Sequence, residues 1–203
     1  MAARVHLVRH GEVHDPDHIV YASLPGYGLS ELGIAQARSA ARYLGRQAVV
    51  GVWSSPLERA LRTAEPIATR VGQPVRVDPT LGEWGLMDHW AGTSWDDLGE
   101  VFPGELERFL EGPIDLPFSP ESLGELSERM TATIRGLEAA HPHGEIVVVS
   151  HSGPVRAALL GLTGAPLTSF WDVEPEHGSV TTLRPGSAWS LESVWAPDPD
   201  LFA

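Results

Sequence analysis

Residues 145–156 read EIVVVSHSGPVR: an almost wholly apolar, β-branched run, then Ser150-His151-Ser152-Gly153, then Pro154. A strand buried on both faces needs such a run. A proline is tolerated in the first turn of a helix, because the N–H it lacks has no helical partner there. The stretch therefore predicts a central strand that feeds directly into a helix reaching Leu162, with a histidine at the junction. This is a βα unit of a parallel sheet, and it sets the fold class.

Outward from it the same unit recurs. Residues 5–8 form an apolar run ending in Arg9-His10-Gly11, and from Ser30, a natural N-cap, Ile34, Ala37, Ala41 and Leu44 recur at the spacing of one buried helix face. Residues 49–53 lead into Ser54-Ser55-Pro56. Pro56 suits a helix start, and Leu57, Ala60, Ala64, Ile67 and Val71 make a stripe that Gly72 ends. Pro66 falls inside that stripe and predicts a kink or a split. Residues 74–77 read as a short strand, and Leu123, Leu126, Met130, Ile134 and Leu137 as a long helix. Residues 179–183 and 189–194, separated by Arg184-Pro185-Gly186-Ser187, read as a hairpin at a sheet edge.

Strand and helix patterns in alternation predict an α/β chain: one three-layer α/β/α domain over residues 1–203, its central sheet mostly parallel with an antiparallel edge. Residues 84–120 lack clear periodicity and are rich in acidic and turn residues, so a lid-like insertion is expected there.

Composition narrows the chemistry. Fourteen basic residues against 27 acidic ones give a formal charge of −13, a field that repels nucleic acid and anionic membranes, so neither is an expected partner. All the basic residues are arginines, which excludes lysine Schiff bases and a P-loop lysine; the absence of cysteine excludes thiolate nucleophiles and thiolate metal sites. The first residues, MAARVHLVRHGEV, carry charge and no apolar signal-like segment, so a soluble, cytoplasmic protein is expected. A homodimer remains open.

Three polar clusters follow predicted strands: Arg9-His10-Gly11, Ser54-Ser55-Pro56 with Arg59, and His151. Ligands of open α/β sheets bind at that edge. Two arginines converging there would make a local positive pocket in an acidic protein, with guanidinium forks suited to phosphate oxygens. His10, His14 and His18 are spaced four apart as metal ligands on a helix would be, but Gly11, Asp15, Pro16 and Asp17 argue against a helix, and no metal site is expected.

With these residues in view, the chain resembles the histidine phosphatase, or phosphoglycerate mutase-like, superfamily. VRHGE at 8–12, SSPLERALRTAEPIA at 54–68, LGEWG at 81–85 and SHSGPVR at 150–156 carry the resemblance in order, with GLSELGIAQA at 28–37 and HGSVTTL at 177–183 beside them. It implies a phosphoglycerate mutase-like fold and a phosphatase that needs no metal or cofactor. His10 would become a phosphohistidine, Arg9, Arg59 and His151 would bind the transferring phosphoryl group, and Glu83 would protonate the leaving oxygen. The expected substrate is a small phosphorylated metabolite.

Some positions depart from the family pattern. Glu83 is followed by WGLMDHWAG, one residue longer than usual and with Ala91 where a glutamate is expected. Pro16 replaces a common asparagine, so one phosphoryl contact is expected either to be missing or to be supplied by His14 or Ser23; Ser152, where glycine is frequent, is a further pocket candidate. Trp84, Trp90 and Trp95 either line a pocket for an apolar leaving group or pack in the core. The alternatives within the resemblance are a cofactor-dependent phosphoglycerate mutase and a non-catalytic anion- or partner-binding module. Mutases of this type resemble the chain but carry a larger insertion with extra basic residues, whereas between Asp88 and Leu123 only Arg108 is basic, which favours hydrolysis. A binding module would be expected to lack the nucleophile or the acid, and both are present.

Overall fold

The computed structural model describes residues 3–198. Among them, six strands form one sheet: β1 (Arg4–Arg9), β2 (Val49–Ser54), β3 (Val75–Val77), β4 (Glu145–Ser150), β5 (Val180–Arg184) and β6 (Ser190–Trp195), in the order β3-β2-β4-β1-β5-β6. The first four are mutually parallel, β5 runs antiparallel to β1, and β6 pairs with β5 as the hairpin expected from residues 179–194. β4 is buried along its whole length, as its β-branched run requires.

Side-chain alternation builds the three layers. Ile146 and Val148 of β4, with Val5 and Leu7 of β1, join the core beneath α6 (Leu123–Ala140) and α7 (Ser152–Thr163). Val147 and Val149, with Val8, join the core beneath α1 (Glu31–Leu44) and α2 (Glu58–Val71). Ser30 caps α1 by accepting from the Gly33 N–H, and Ser122 and Glu125 form a reciprocal capping box on α6.

Three prolines sit differently from the expectation. α2 runs unbroken from Glu58 to Val71 through Pro66, with Leu57 as its N-cap and Pro56 outside it. The carbonyl that loses its helical donor belongs to Arg62, an exposed residue, where water can take the donor's place. α7 starts at Ser152, so Pro154 is its third residue, still within the turn that needs no N–H.

Residues 84–120 contain α3 (Gly85–His89), α4 (Leu98–Val101) and α5 (Glu105–Glu111), each too short to display a helical period. They are anchored to the α6–α7 core by Leu86, Trp90 and Leu98, all fully buried.

Candidate active site

Strand register aligns the site. Arg9 pairs with Ser150 and Ser54 with Val149, so β1, β2 and β4 end level, and the residues that follow them meet at one edge. The turn after β1 is pressed against the start of α1: a Cβ on Gly11 would lie 2.4 Å from the Gly33 carbonyl oxygen, and one on Gly33 would lie 2.0 Å from that of Glu12. Both positions need glycine for this backbone contact. The Gly11 N–H also donates to Thr63 Oγ1 of α2 at 3.0 Å.

His10 is buried, and its Nδ1 lies 2.7 Å from the Gly11 carbonyl. A carbonyl can only accept, so Nδ1 carries the proton and Nε2 holds a free lone pair. Burial, then the neighbouring His151, Arg59 and Arg9, hold the imidazole pKa well below its ordinary value.

His151 sits 5.1 Å from His10, ring to ring. Arg59 Nε donates to His151 Nδ1 at 3.2 Å, which leaves His151 Nε2 to donate to Ser55 Oγ at 2.8 Å. Burial, followed by the charges of Arg59 and Arg9, lowers the His151 pKa strongly and keeps this ring neutral too. Arg9 donates to the Pro175 carbonyl at 2.8 Å and to His177 Nε2 at 2.7 Å. His177 is pushed down to about 4 by burial and by the Arg9 charge, consistent with its role as acceptor.

Glu83 has 13% of its side chain exposed; Oε2 is 3.5 Å from Arg59 Nη2 and 3.6 Å from His151 Nδ1, and Oε1 accepts the Trp84 N–H at 2.9 Å. Burial raises its pKa above the usual carboxylate range despite the opposing pull of Arg59. A carboxyl so placed holds its proton to higher pH than a surface glutamate, as a general acid must.

Arg129 and Glu121 fix the acid loop. Arg129 forms a two-pronged ion pair with Glu121 (2.7 and 2.9 Å) and donates to the carbonyls of Thr80 and Glu83; Glu121 accepts the Gly85 N–H through its carboxylate and the Trp84 indole N–H through its carbonyl. Ser150 Oγ donates to the Leu81 carbonyl at 2.8 Å and ties the loop to the end of β4.

Among the described residues, Arg9 Nε and Arg59 Nη2 are buried donors without a hydrogen-bond partner, Arg59 Nη2 having only its 3.5 Å ion-pair contact with Glu83. Leaving such groups unpaired costs about 1–3 kcal/mol each or more, so their complement is an acceptor that arrives with the ligand. The ligating atoms of His10, Glu83 and His151 lie within 4.8 Å of one another, a spacing that could also hold a cation, but the adjacent guanidinium groups of Arg9 and Arg59 favour an oxyanion instead.

A cavity of about 240 Å³ opens from this cluster. Arg9, His10, Glu83 and Ser152 belong to its wall, whereas Arg59 and His151 lie beneath it in contact with Glu83. His14 and Ser23, expected to replace the missing asparagine, are not brought there. Both are exposed, and Ser23 is turned to Asp88, to which its N–H and its hydroxyl donate. The loop carrying them adopts positive φ at His18 (48°) and Ala22 (40°), and it sends Tyr21 and Ala22 to the cavity instead. Of the three tryptophans, Trp84 and Trp95 line the cavity and Trp90 is core.

Sequence reasoning gave no role to Tyr21, Arg156, Phe170, Trp171 or His177. Tyr21 lies over the Arg59 guanidinium at 4.8 Å, and Arg156, Phe170 and Trp171 line the cavity. Arg156 was within reach: it stands four residues after Ser152, on the same helix face. Phe170 and Trp171 sit in a 3₁₀ segment, Leu167–Asp172, that carries no periodic signal.

No helix among the described residues is long and apolar enough to cross a membrane. The profile of the histidine phosphatase superfamily (branch 1) matches residues 5–194. An uncharacterized protein of Mycobacterium tuberculosis is 37% identical over 81% of this chain and 80% of its own length. Phosphoserine phosphatase 1 of Hydrogenobacter thermophilus is 31% identical over 88% of this chain and 84% of its own. The solved structure of mycobacterial glucosyl-3-phosphoglycerate phosphatase complexed with VO3 superposes with a TM-score of 0.84 at 29% identity, covering 96% of this chain and 99% of that one. With the ordered motifs and the converging site residues, these matches lead to one conclusion: the chain belongs to the histidine phosphatase superfamily.

Proposed function

We propose that the protein hydrolyses a small phosphomonoester in two steps through a phosphohistidine on His10. The observation that carries this is the His10 Nδ1–Gly11 hydrogen bond of 2.7 Å, which leaves an unprotonated Nε2 amid cationic donors. Nε2 attacks phosphorus, the bond from phosphorus to the leaving oxygen breaks, and Glu83 gives its proton to that oxygen. Water then attacks the phosphohistidine, Glu83 takes the water's proton, and the P–N bond breaks to return the lone pair to Nε2. Arg9 and Arg59 meet the charge that spreads over the equatorial oxygens, and Ser55 holds His151 in the tautomer that Arg59 requires.

Hydrolysis fits better than isomerisation. Arg108 pairs with Asp115 on the surface at 3.0 Å and does not line the cavity, so the insertion adds no cation to it. Relatives named phosphoserine phosphatase and glucosyl-3-phosphoglycerate phosphatase support the same reading.

The test is a rapid-quench trap of acid-labile phosphate on the protein. Wild type is expected to label and His10→Ala to remain unlabelled; equal labelling overturns the assignment. With 3-phosphoglycerate and catalytic 2,3-bisphosphoglycerate, phosphate release should outrun isomerisation.

A further inference from the structure

One cation in the cavity wall has no part in the phosphoryl chemistry. Arg156 lies on α7, 8% exposed, five residues after His151. Its guanidinium rests against the rings of Phe170 at 5.2 Å and Trp171 at 4.9 Å. Nη1 reaches the Phe170 carbonyl at 3.5 Å, and Nε is buried without a hydrogen-bond partner among the described residues. Stacking on two rings orients the fork but leaves Nε without an acceptor, and the charge of Glu174 offsets the guanidinium only from a distance, with no ion pair between them, so a buried cation of that kind is costly. Burial and the nearby Arg9 charge hold its pKa below the usual arginine value, which an arriving anion would offset.

The rest of the wall suggests what carries the anion. Beyond Arg9, His10 and Glu83 it is built chiefly from Trp84, Met87, Trp95, Phe109 and Trp171. Such a surface matches a flat apolar group. At about 240 Å³ the cavity is small for a ligand pocket and suits a single ring, not a nucleoside or an oligosaccharide. Five residues of helix separate Arg156 from His151 by roughly 7.5 Å along the axis, about the span of one ring bearing a group at each end.

We propose that the leaving group is a planar aromatic alcohol bearing a carboxylate, its ring seated among Trp84, Trp95 and Phe109 and its carboxylate on the Arg156 fork. This rests on the hydrolytic reading above and names the substrate class for that same site.

The experiment compares kcat/KM for para-carboxyphenyl phosphate and for phenyl phosphate in wild type and in Arg156→Met. A charge-assisted contact predicts a wild-type preference for the carboxylate of roughly 10- to 100-fold, and collapse of that preference in the variant. An absent preference in wild type overturns the proposal. So does an equal loss on both substrates in Arg156→Met, which would mark a purely structural stack. A binding arm separates this inference from the mechanism: dissociation constants for para-carboxyphenyl phosphate and for phenyl phosphate are measured by tryptophan quenching on His10→Ala with and without Arg156→Met. Binding of the carboxylate ligand weakened by the second substitution at least roughly tenfold more than binding of phenyl phosphate supports the carboxylate site even if wild type shows no turnover. Turnover without any carboxylate preference in either arm sinks the site and leaves hydrolysis standing.

Discussion

His177 couples site geometry to pH in a way that can be isolated. Its Nε2 accepts from Arg9 Nη2 at 2.7 Å, and burial beside that cation lowers its pKa from 6.5 to about 4. Because the folded-state value is depressed, the unfolded chain binds a proton first as pH falls. Stability is unaffected by this group well above 6.5, declines as pH falls below it, and levels off only below the folded value near 4. Integrating between those values, the loss on going from about pH 7.5 to about pH 5 is at most about 2 kcal/mol, the partial burial of the ring making this an upper bound. His177→Gln removes the titration yet keeps an oxygen able to accept from Arg9. Urea unfolding followed by the fluorescence of the seven tryptophans gives each protein's stability at both pH values. The depressed groups common to both, His10 and His151 among them, cancel in the difference. The gap between the two proteins should shift toward the variant by up to about 2 kcal/mol at the lower pH. A shift under about 0.5 kcal/mol would refute the linkage.

Glu83→Gln should slow turnover of alkyl phosphomonoesters by roughly 10²- to 10⁴-fold, with a smaller effect on phosphorylation of His10 by para-nitrophenyl phosphate, whose leaving group needs no proton. Equal losses on both would remove Glu83 as the acid. Arg129→Met breaks the clamp on the acid loop without touching the cavity, so its loss of kcat should show the same dependence on the leaving group; a loss independent of it would reduce Arg129 to a stability role. Gly33→Ala places a Cβ 2.0 Å from the Glu12 carbonyl oxygen and should destabilise the fold by about 1–3 kcal/mol or more in urea unfolding. Unchanged stability would show that the close approach of α1 to the nucleophile turn is not required.

Much of this was legible in residue order. The short β-branched run at 146–149 pointed to a strand buried on both faces, and the stripes at 34–44 and 123–137 to helices that bury one face, so the layers followed from period, length and β-branching. Arg9, His10, Arg59 and His151 each stand where a strand gives way to a turn or helix, and parallel strands put those ends on one side. Glu83 was placed by its motif. Local pattern misled where its consequence depended on surroundings: Pro66 does not break α2, because the carbonyl it orphans is on the exposed side.

The pocket beyond the phosphoryl site was decided by tertiary structure. The loop that passes through positive φ at His18 and Ala22 leaves His14 and Ser23 exposed and puts Tyr21 in the cavity wall, and backbone conformations of that kind leave no periodic trace. Tautomers and pKa directions arise from contacts across 92 residues (Arg59 with His151) and 168 residues (Arg9 with His177). The sequence by itself determined the layered sheet and the set of side chains proposed to bind the phosphoryl group, because both are written in period and motif. Only the folded chain decided which protons those side chains hold and which rings and cation face the leaving group. Desolvation and charge proximity are properties of neighbours in space, and the chain order does not name them.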